Sequence, residues 1–127
     1  MTPDDMRAIA LAIPGSEESF SMGSVAFKLN GKVLVRLLDE DVMLTGIGYD
    51  EREMLLEAEP QTFHITPHYK DDPAVMARLE TLDPGALRSF LWRRWREIAR
   101  KANIKAHDAI DGGGGEREPQ LKGRRKP

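Results

Sequence analysis

The sequence contains no cysteine, which excludes thiol nucleophiles, redox pairs, cysteine-ligated zinc and iron–sulfur clusters. No run comes near the ~18 consecutive apolar residues of a membrane span. Aromatic residues are scarce, at 6% of the chain, and there are three His. The opening Met1-Thr2-Pro3-Asp4-Asp5 is acidic where a secretory signal is basic, so the expectation is a cytoplasmic protein. The 127 residues, 40% apolar and 31% charged, suffice for one domain. A chain of this size buries about two thirds of its unfolded surface and needs neither a metal nor a disulfide.

Charge is unevenly placed. Residues 1–83 carry 7 Lys and Arg against 16 Asp and Glu, whereas residues 84–127 carry 12 against 5, although the whole chain is only −2. One acidic and one basic surface region are therefore expected, which bears on partners and not on fold. The end of the chain changes composition. Gly112-Gly113-Gly114-Gly115 leads to Lys122-Gly123-Arg124-Arg125-Lys126-Pro127, with only Leu121 to bury. Residues 109–127 are accordingly expected to form a disordered, basic tail behind a folded domain of residues 1–108.

Thr2, Pro3 and the Asp4-Asp5 pair form a helix start, and Met6, Ile9, Ala10 and Ile13 follow at helical spacing until Pro14-Gly15. Short alternating segments come next, around Ser19–Met22, Val25–Leu29, Lys32–Leu37 and Val42–Ile47. Asn30-Gly31 is a strong hairpin signal, and Asp39-Glu40-Asp41 reads as a charged turn. Asp50, with Glu53 three residues on, is expected to cap a short helix through Ala58. Thr62–Thr66 and Ala74–Leu79 resume the strand pattern around a loop at Pro67–Pro73. Asp83-Pro84 opens a long helix, roughly Gly85 to Ala102. The expected fold class is α+β, a single antiparallel sheet of five or six strands with the N- and C-terminal helices on one face.

On the last helix Leu87, Leu91, Trp95, Ile98 and Ala102 share one face, while Arg93, Arg96 and Arg100 line the opposite one. Fixed guanidinium donors in a row suit phosphate oxygens, and neutralising phosphates releases counterions. Arg88, Arg94, Lys101 and Lys105 lie alongside. The alternative is a solvated face paired with the protein's own acidic surface. Trp92 reads as the rim of the core, although beside Arg88 and Arg96 it could stack on a base. His64 and His68 are four apart, but Pro67 between them breaks the helical spacing a metal site would use. Ser16, Ser19, Ser21 and Ser24 show no nucleophile elbow, and Gly46-Ile47-Gly48 lacks the context of a dinucleotide loop. No catalytic constellation, metal site or cofactor is expected.

Three stretches resemble the MmcQ/YjbR family of small bacterial proteins: Leu11-Ala12-Ile13-Pro14-Gly15-Ser16-Glu17-Glu18, Ala26-Phe27-Lys28-Leu29-Asn30-Gly31-Lys32, and Phe63-His64-Ile65-Thr66-Pro67-His68-Tyr69-Lys70 with Pro73-Ala74-Val75 and Arg78-Leu79. The resemblance covers roughly residues 3–103. It implies a CyaY- or frataxin-like sheet with flanking helices in a double-wing arrangement, and a DNA-binding function. It also implies a structural or ligand-facing role for the His68-Tyr69 loop. The chain departs from the family near Met22, where many members have Trp or His, near Val25, where many have Pro, and in its Gly-rich basic tail. Asp39-Glu40-Asp41 and Asp4-Asp5 invite comparison with the acidic ridge of frataxins, but a solvated turn and a helix start account for them.

The expected function is weakly specific nucleic-acid binding. Arg93, Arg96 and Arg100 would contact the backbone, Lys28, Lys32 and Lys70 would act as wing contacts, and Arg124, Arg125 and Lys126 would add affinity through a tether. DNA is the expected partner and an acidic protein surface the alternative, with no membrane contact. The chain is expected to be a monomer or to self-associate weakly through its opposite charges.

Overall fold

The computed structural model describes residues 1–110, with side chains through residue 102. Expected tail residues 111–127, including Arg124, Arg125 and Lys126, lie outside the described residues. The first helix, α1 (Pro3–Leu11), begins with a capping box. Thr2 Oγ1 accepts from the Asp5 N–H at 3.1 Å, and Asp5 Oδ2 accepts from the Thr2 N–H at 3.0 Å.

The Thr2 N–H, and then its hydroxyl, hold the Asp5 carboxyl below the usual carboxylate range. A carboxyl depressed in the folded state adds stability above its unfolded pKa, and that stability is lost as pH falls through the folded value. The box therefore contributes fully at neutral pH and disappears in acid. Thr2→Ala removes the hydroxyl and keeps the N–H, so it is expected to raise the Asp5 midpoint part of the way toward about 3.9. An NMR titration of the Asp5 carboxyl measures this, and an unmoved midpoint would contradict the assignment.

Six strands form one fully antiparallel sheet: β1 (Glu17–Ser21), β2 (Ser24–Leu29), β3 (Lys32–Leu38), β4 (Asp41–Thr45), β5 (Phe63–His64) and β6 (Ala74–Arg78), in the order β1-β2-β3-β4-β6-β5. The first four make a meander. Asn30-Gly31 turns between β2 and β3 with both residues at positive φ, 53° and 77°, as the tight hairpin turn requires. Met22-Gly23 turns between β1 and β2 in the same way, at 53° and 82°. Methionine carries no signal for that conformation, which is why the sequence pattern ran the first strand through Met22, one residue too far.

Two helices complete the fold, α2 (Tyr49–Ala58) after β4 and α3 (Pro84–Ile110) after β6. α1 and α3 cover one sheet face. Met6, Ala10 and Ile13 from α1 and Leu87, Leu91 and Ile98 from α3 bury against Phe27, Val35, Val42, Leu44 and Val75. A bulge opposite Phe27/Lys28 leaves Leu34 without a cross-strand partner. Leu34 and Val35 consequently both enter this core although they are adjacent.

Other element boundaries also differ from expectation, β4 among them, which ends at Thr45 and not at Ile47. Gly48, not Asp50, precedes the first residue of α2, with no side-chain cap bond. Gly46, at φ +72°, and buried Ile47 turn the chain early enough for the helix to begin at Tyr49. Asp50 and Glu51 still occupy the first turn, facing the positive end of the helix dipole. The expected strand at Thr62–Thr66 pairs only through Phe63 and His64, because the chain turns at Pro67 into a single 3₁₀ turn, Pro67–Tyr69. α3 extends eight residues past Ala102, since residues 103–110 contain no Gly or Pro to stop it. No helix among the described residues is long and apolar enough to cross a membrane.

Candidate functional site

The two ends of the sheet differ in charge. At one end the Leu79 N–H donates to the Glu40 carbonyl at 3.0 Å, and the Met1 ammonium donates to the Leu79 carbonyl at 2.8 Å. The β3–β4 turn, the close of β6 and the start of α1 thus meet there, bringing Asp4, Asp5, Asp39, Glu40 and Glu80 to that end. At the other end the Thr45 hydroxyl donates to the Val33 and Leu34 carbonyls, both at 2.9 Å, just past Lys32 at the start of β3, and Thr45 pairs with Ala74. The Ile47 N–H donates to the Pro73 carbonyl at 2.9 Å, tying the Pro67–Pro73 loop to the same end. α3 crosses it, with Arg94 Nε donating to the Val33 carbonyl at 3.4 Å.

Four arginines of α3 and two carboxylates meet there in an open groove of about 430 Å³ beside Thr45 and Gly46. Arg93 forms a two-pronged pair with Glu51 of α2, with both contacts at 2.9 Å. Arg94 is half-buried and pairs with Glu97 one turn on. Arg96 and Arg100 are exposed and have no acidic partner among the described residues. The arginine face anticipated from helical spacing therefore divides by role: Arg93 and Arg94 are pinned by carboxylates, and Arg96 and Arg100 face solvent.

Gly46 is what lets α3 approach so closely. A Cβ there would lie 2.9 Å from Arg94 Cδ and 2.9 Å from Glu97 Oε1. Its φ of +72° also costs an L-residue about 1–2 kcal/mol. Gly46→Ala is thus expected to destabilise the fold by about 1–2 kcal/mol in urea denaturation and to push the Arg94–Glu97 pair off the groove wall. An unchanged midpoint would contradict this.

Lys32 and Lys70 are exposed, and both stand at the basic end. Lys28 is half-buried on the sheet face away from α1 and α3, with Glu17 as its cross-strand neighbour. The loop carrying Lys70 is held from beneath by Arg52, a residue the sequence reading passed over. Arg52 is buried on α2, and its guanidinium donates to the carbonyls of Lys70 at 2.7 Å, Asp72 at 3.0 Å, Ala74 at 3.3 Å and Tyr69 at 3.5 Å. The one available signal is that Arg52 shares a helical face with Leu55 and Leu56, where an apolar residue is expected.

The Tyr69 ring lies on a small second cluster of Met43, Ala74 and Met76 on the outer face of the sheet. His68 is exposed and meets the Tyr69 ring edge-on at 4.6 Å. His64 turns elsewhere, with Nε2 2.9 Å from Asp41 Oδ2. No group of three metal-ligating side chains occurs among the described residues. Trp92 packs edge-on against Trp95 at 5.5 Å, while Trp95 Nε1 donates to the Pro14 carbonyl at 2.9 Å, so this aromatic pair ties α3 to the end of α1.

Neither known family models nor curated proteins match this sequence. The fold is similar to the crystal structure of the Deinococcus radiodurans protein DR2400, a DUF419 domain, with a TM-score of 0.68 at 22% identity, over 92% of this chain and 96% of that one.

Proposed function

We propose that this chain is a weakly specific nucleic-acid-binding protein of the MmcQ/YjbR type, which contacts phosphates with the basic end of its sheet. The DUF419 domain falls in the MmcQ/YjbR-like superfamily, and the likeness in fold supports that assignment alongside the motifs at residues 11–18, 26–32 and 63–79. The observation that carries the reading is the pair Arg96 and Arg100 in the α3 groove, unpaired among the described residues, at the end of the sheet where Lys32 and the Pro67–Pro73 loop with Lys70 also lie. Exposed cations on rigid elements contact the backbone without reading bases, so sequence preference is weak. The protein acts in the cytoplasm and needs no cofactor.

Fluorescence anisotropy of a labelled random duplex and a single strand tests the reading. Four phosphate contacts correspond to a slope of about −4 in log affinity against log salt, or a loss of about a hundredfold between ~50 and ~200 mM. A chain ending at residue 110 separates the folded domain from the tail. Binding that survives this truncation with that slope supports the reading. Binding lost with the tail, or independent of salt, overturns it for the domain, and absence of binding by both chains leaves an acidic protein as the partner of the same arginines.

A further inference from the structure

The groove on α3 has a composition that a duplex backbone alone does not call for. Arg93, Arg94, Arg96 and Arg100 line, together with Glu51 and Glu97, an open groove of about 430 Å³, in which Glu51 is bonded to Arg93 and Glu97 to Arg94. Four guanidinium groups against two carboxylates leave a local charge of +2. A surface built only for a polyanion gains nothing from two carboxylates among its cations.

We propose that this groove seats a single terminal phosphate, the monoester of a strand's 5′ end or of a free nucleotide, and this rests on the phosphate-binding reading above. A phosphomonoester carries about −1.5 to −2 charges at neutral pH and presents three terminal oxygens. A diester within a strand carries one charge and two free oxygens, so it offsets only part of the groove's +2 and engages fewer of its donors. Arg96 and Arg100 are four residues apart on α3, so their side chains are neighbours on one helix face and can close on the phosphate from two sides. Arg93, with both Nη atoms on Glu51, and Arg94, held by Glu97 and the Val33 carbonyl, are already ordered. Ordered guanidinium forks lose less freedom when an oxyanion binds. The two carboxylates then do more than trim charge, since their remaining lone pairs can accept from sugar hydroxyl or base amino groups attached to the phosphate.

The test uses the full chain and a labelled single strand of fixed sequence with either a 5′-phosphate or a 5′-hydroxyl, with deoxyadenosine 5′-monophosphate and inorganic phosphate as competitors. The 5′-phosphate is expected to tighten binding about tenfold, the scale of one charge-assisted hydrogen bond. That preference is expected to vanish in Arg96→Ala/Arg100→Ala and to persist in Arg88→Ala, an exposed arginine of α3 outside the groove. Equal, salt-sensitive binding of both strands would overturn the terminal-phosphate site and leave the nucleic-acid reading standing. Competitor binding that depends on Arg96 and Arg100, without binding of either strand, would support the groove's ligand class and overturn the nucleic-acid reading. Binding of none of the probes would overturn both.

Discussion

Replacing Arg52 by alanine is expected to lower folding stability by about 3 kcal/mol, comparable to breaking a buried charged hydrogen-bond set. Arg52 is 5% exposed. Its forked guanidinium gathers three carbonyls of one loop and that of Ala74 at the start of β6, with the shortest contacts at 2.7 Å to Lys70 and 3.0 Å to Asp72. The stem crosses from α2 toward the loop, and the cation stacks 5.3 Å from the Tyr49 ring centroid. Truncation removes the bonds and leaves a void beneath the loop. Arg52→Met keeps most of the volume and Arg52→Lys keeps the charge. Neither is expected to recover more than about half the loss, because a single ammonium cannot span carbonyls that a planar fork reaches together. Urea denaturation gives the stability. Amide exchange at residues 67–73 is expected to quicken well beyond the global change, since the loop would lose the support that orders it. Loss of less than about 0.5 kcal/mol, within the range of ordinary surface changes, would show that the loop holds itself.

The largest functional effect is expected from Arg96→Ala/Arg100→Ala. Both side chains are exposed and outside the described ion pairs, so folding stability should stay within about 0.5 kcal/mol. Affinity for a random duplex is expected to fall roughly 10- to 100-fold at low salt, and the slope of log affinity against log salt to shrink by about 2, one for each lost phosphate contact. The loss should be uniform across sequences, because backbone contacts carry no base information. A sequence-dependent loss would place these arginines at base edges, and an unchanged slope would remove them from the interface.

Much of the fold follows from local chemistry that the chain displays openly. The Thr2-Pro3 start, the Asn30-Gly31 turn and the 3.6-residue spacing of Leu87, Leu91 and Ile98 each act within a few residues, and each produces the element expected of it. The exceptions share a cause. Gly48 replaces Asp50 at the head of α2 because Gly46 and buried Ile47 fix where the chain leaves β4, a constraint set by packing against the core. Ile65 and Thr66 have strand-like chemistry but leave the ladder because Pro67 follows and Arg52, on another element, draws in the carbonyls beyond. The arginine face of α3 was readable as a face. Its division into pinned Arg93 and Arg94 and solvent-facing Arg96 and Arg100 was not, because Glu51 lies 42 residues from its partner in the chain. Arg52 was hidden for the same reason, since its acceptors are carbonyls, which no sequence pattern marks.

The charge asymmetry takes on geometric meaning in the same way. The acidic first part of the chain and the basic last part do not form separate halves of the molecule. The antiparallel sheet puts Asp39, Glu40 and Glu80 of the first part at one end, and at the other it joins Lys32 and Lys70 of that same part to the arginines of α3. The basic end keeps carboxylates, Glu51 and Glu97 among them. Their presence is why neither net charge nor an isoelectric point near 5.9 reveals the patch.

The central claim is that the end of the sheet crossed by α3 is the binding surface. It is tested most directly by following backbone amide shifts of the full chain in NMR while a short random duplex is added at low salt. The account predicts the largest shifts at residues 30–33, 45–48, 70–73 and 93–101, with little change around Asp39 and Glu40, and reversal of all of them on adding salt. Shifts centred on the β3–β4 turn or on the β1 edge, or confined to residues 111–127, would contradict it.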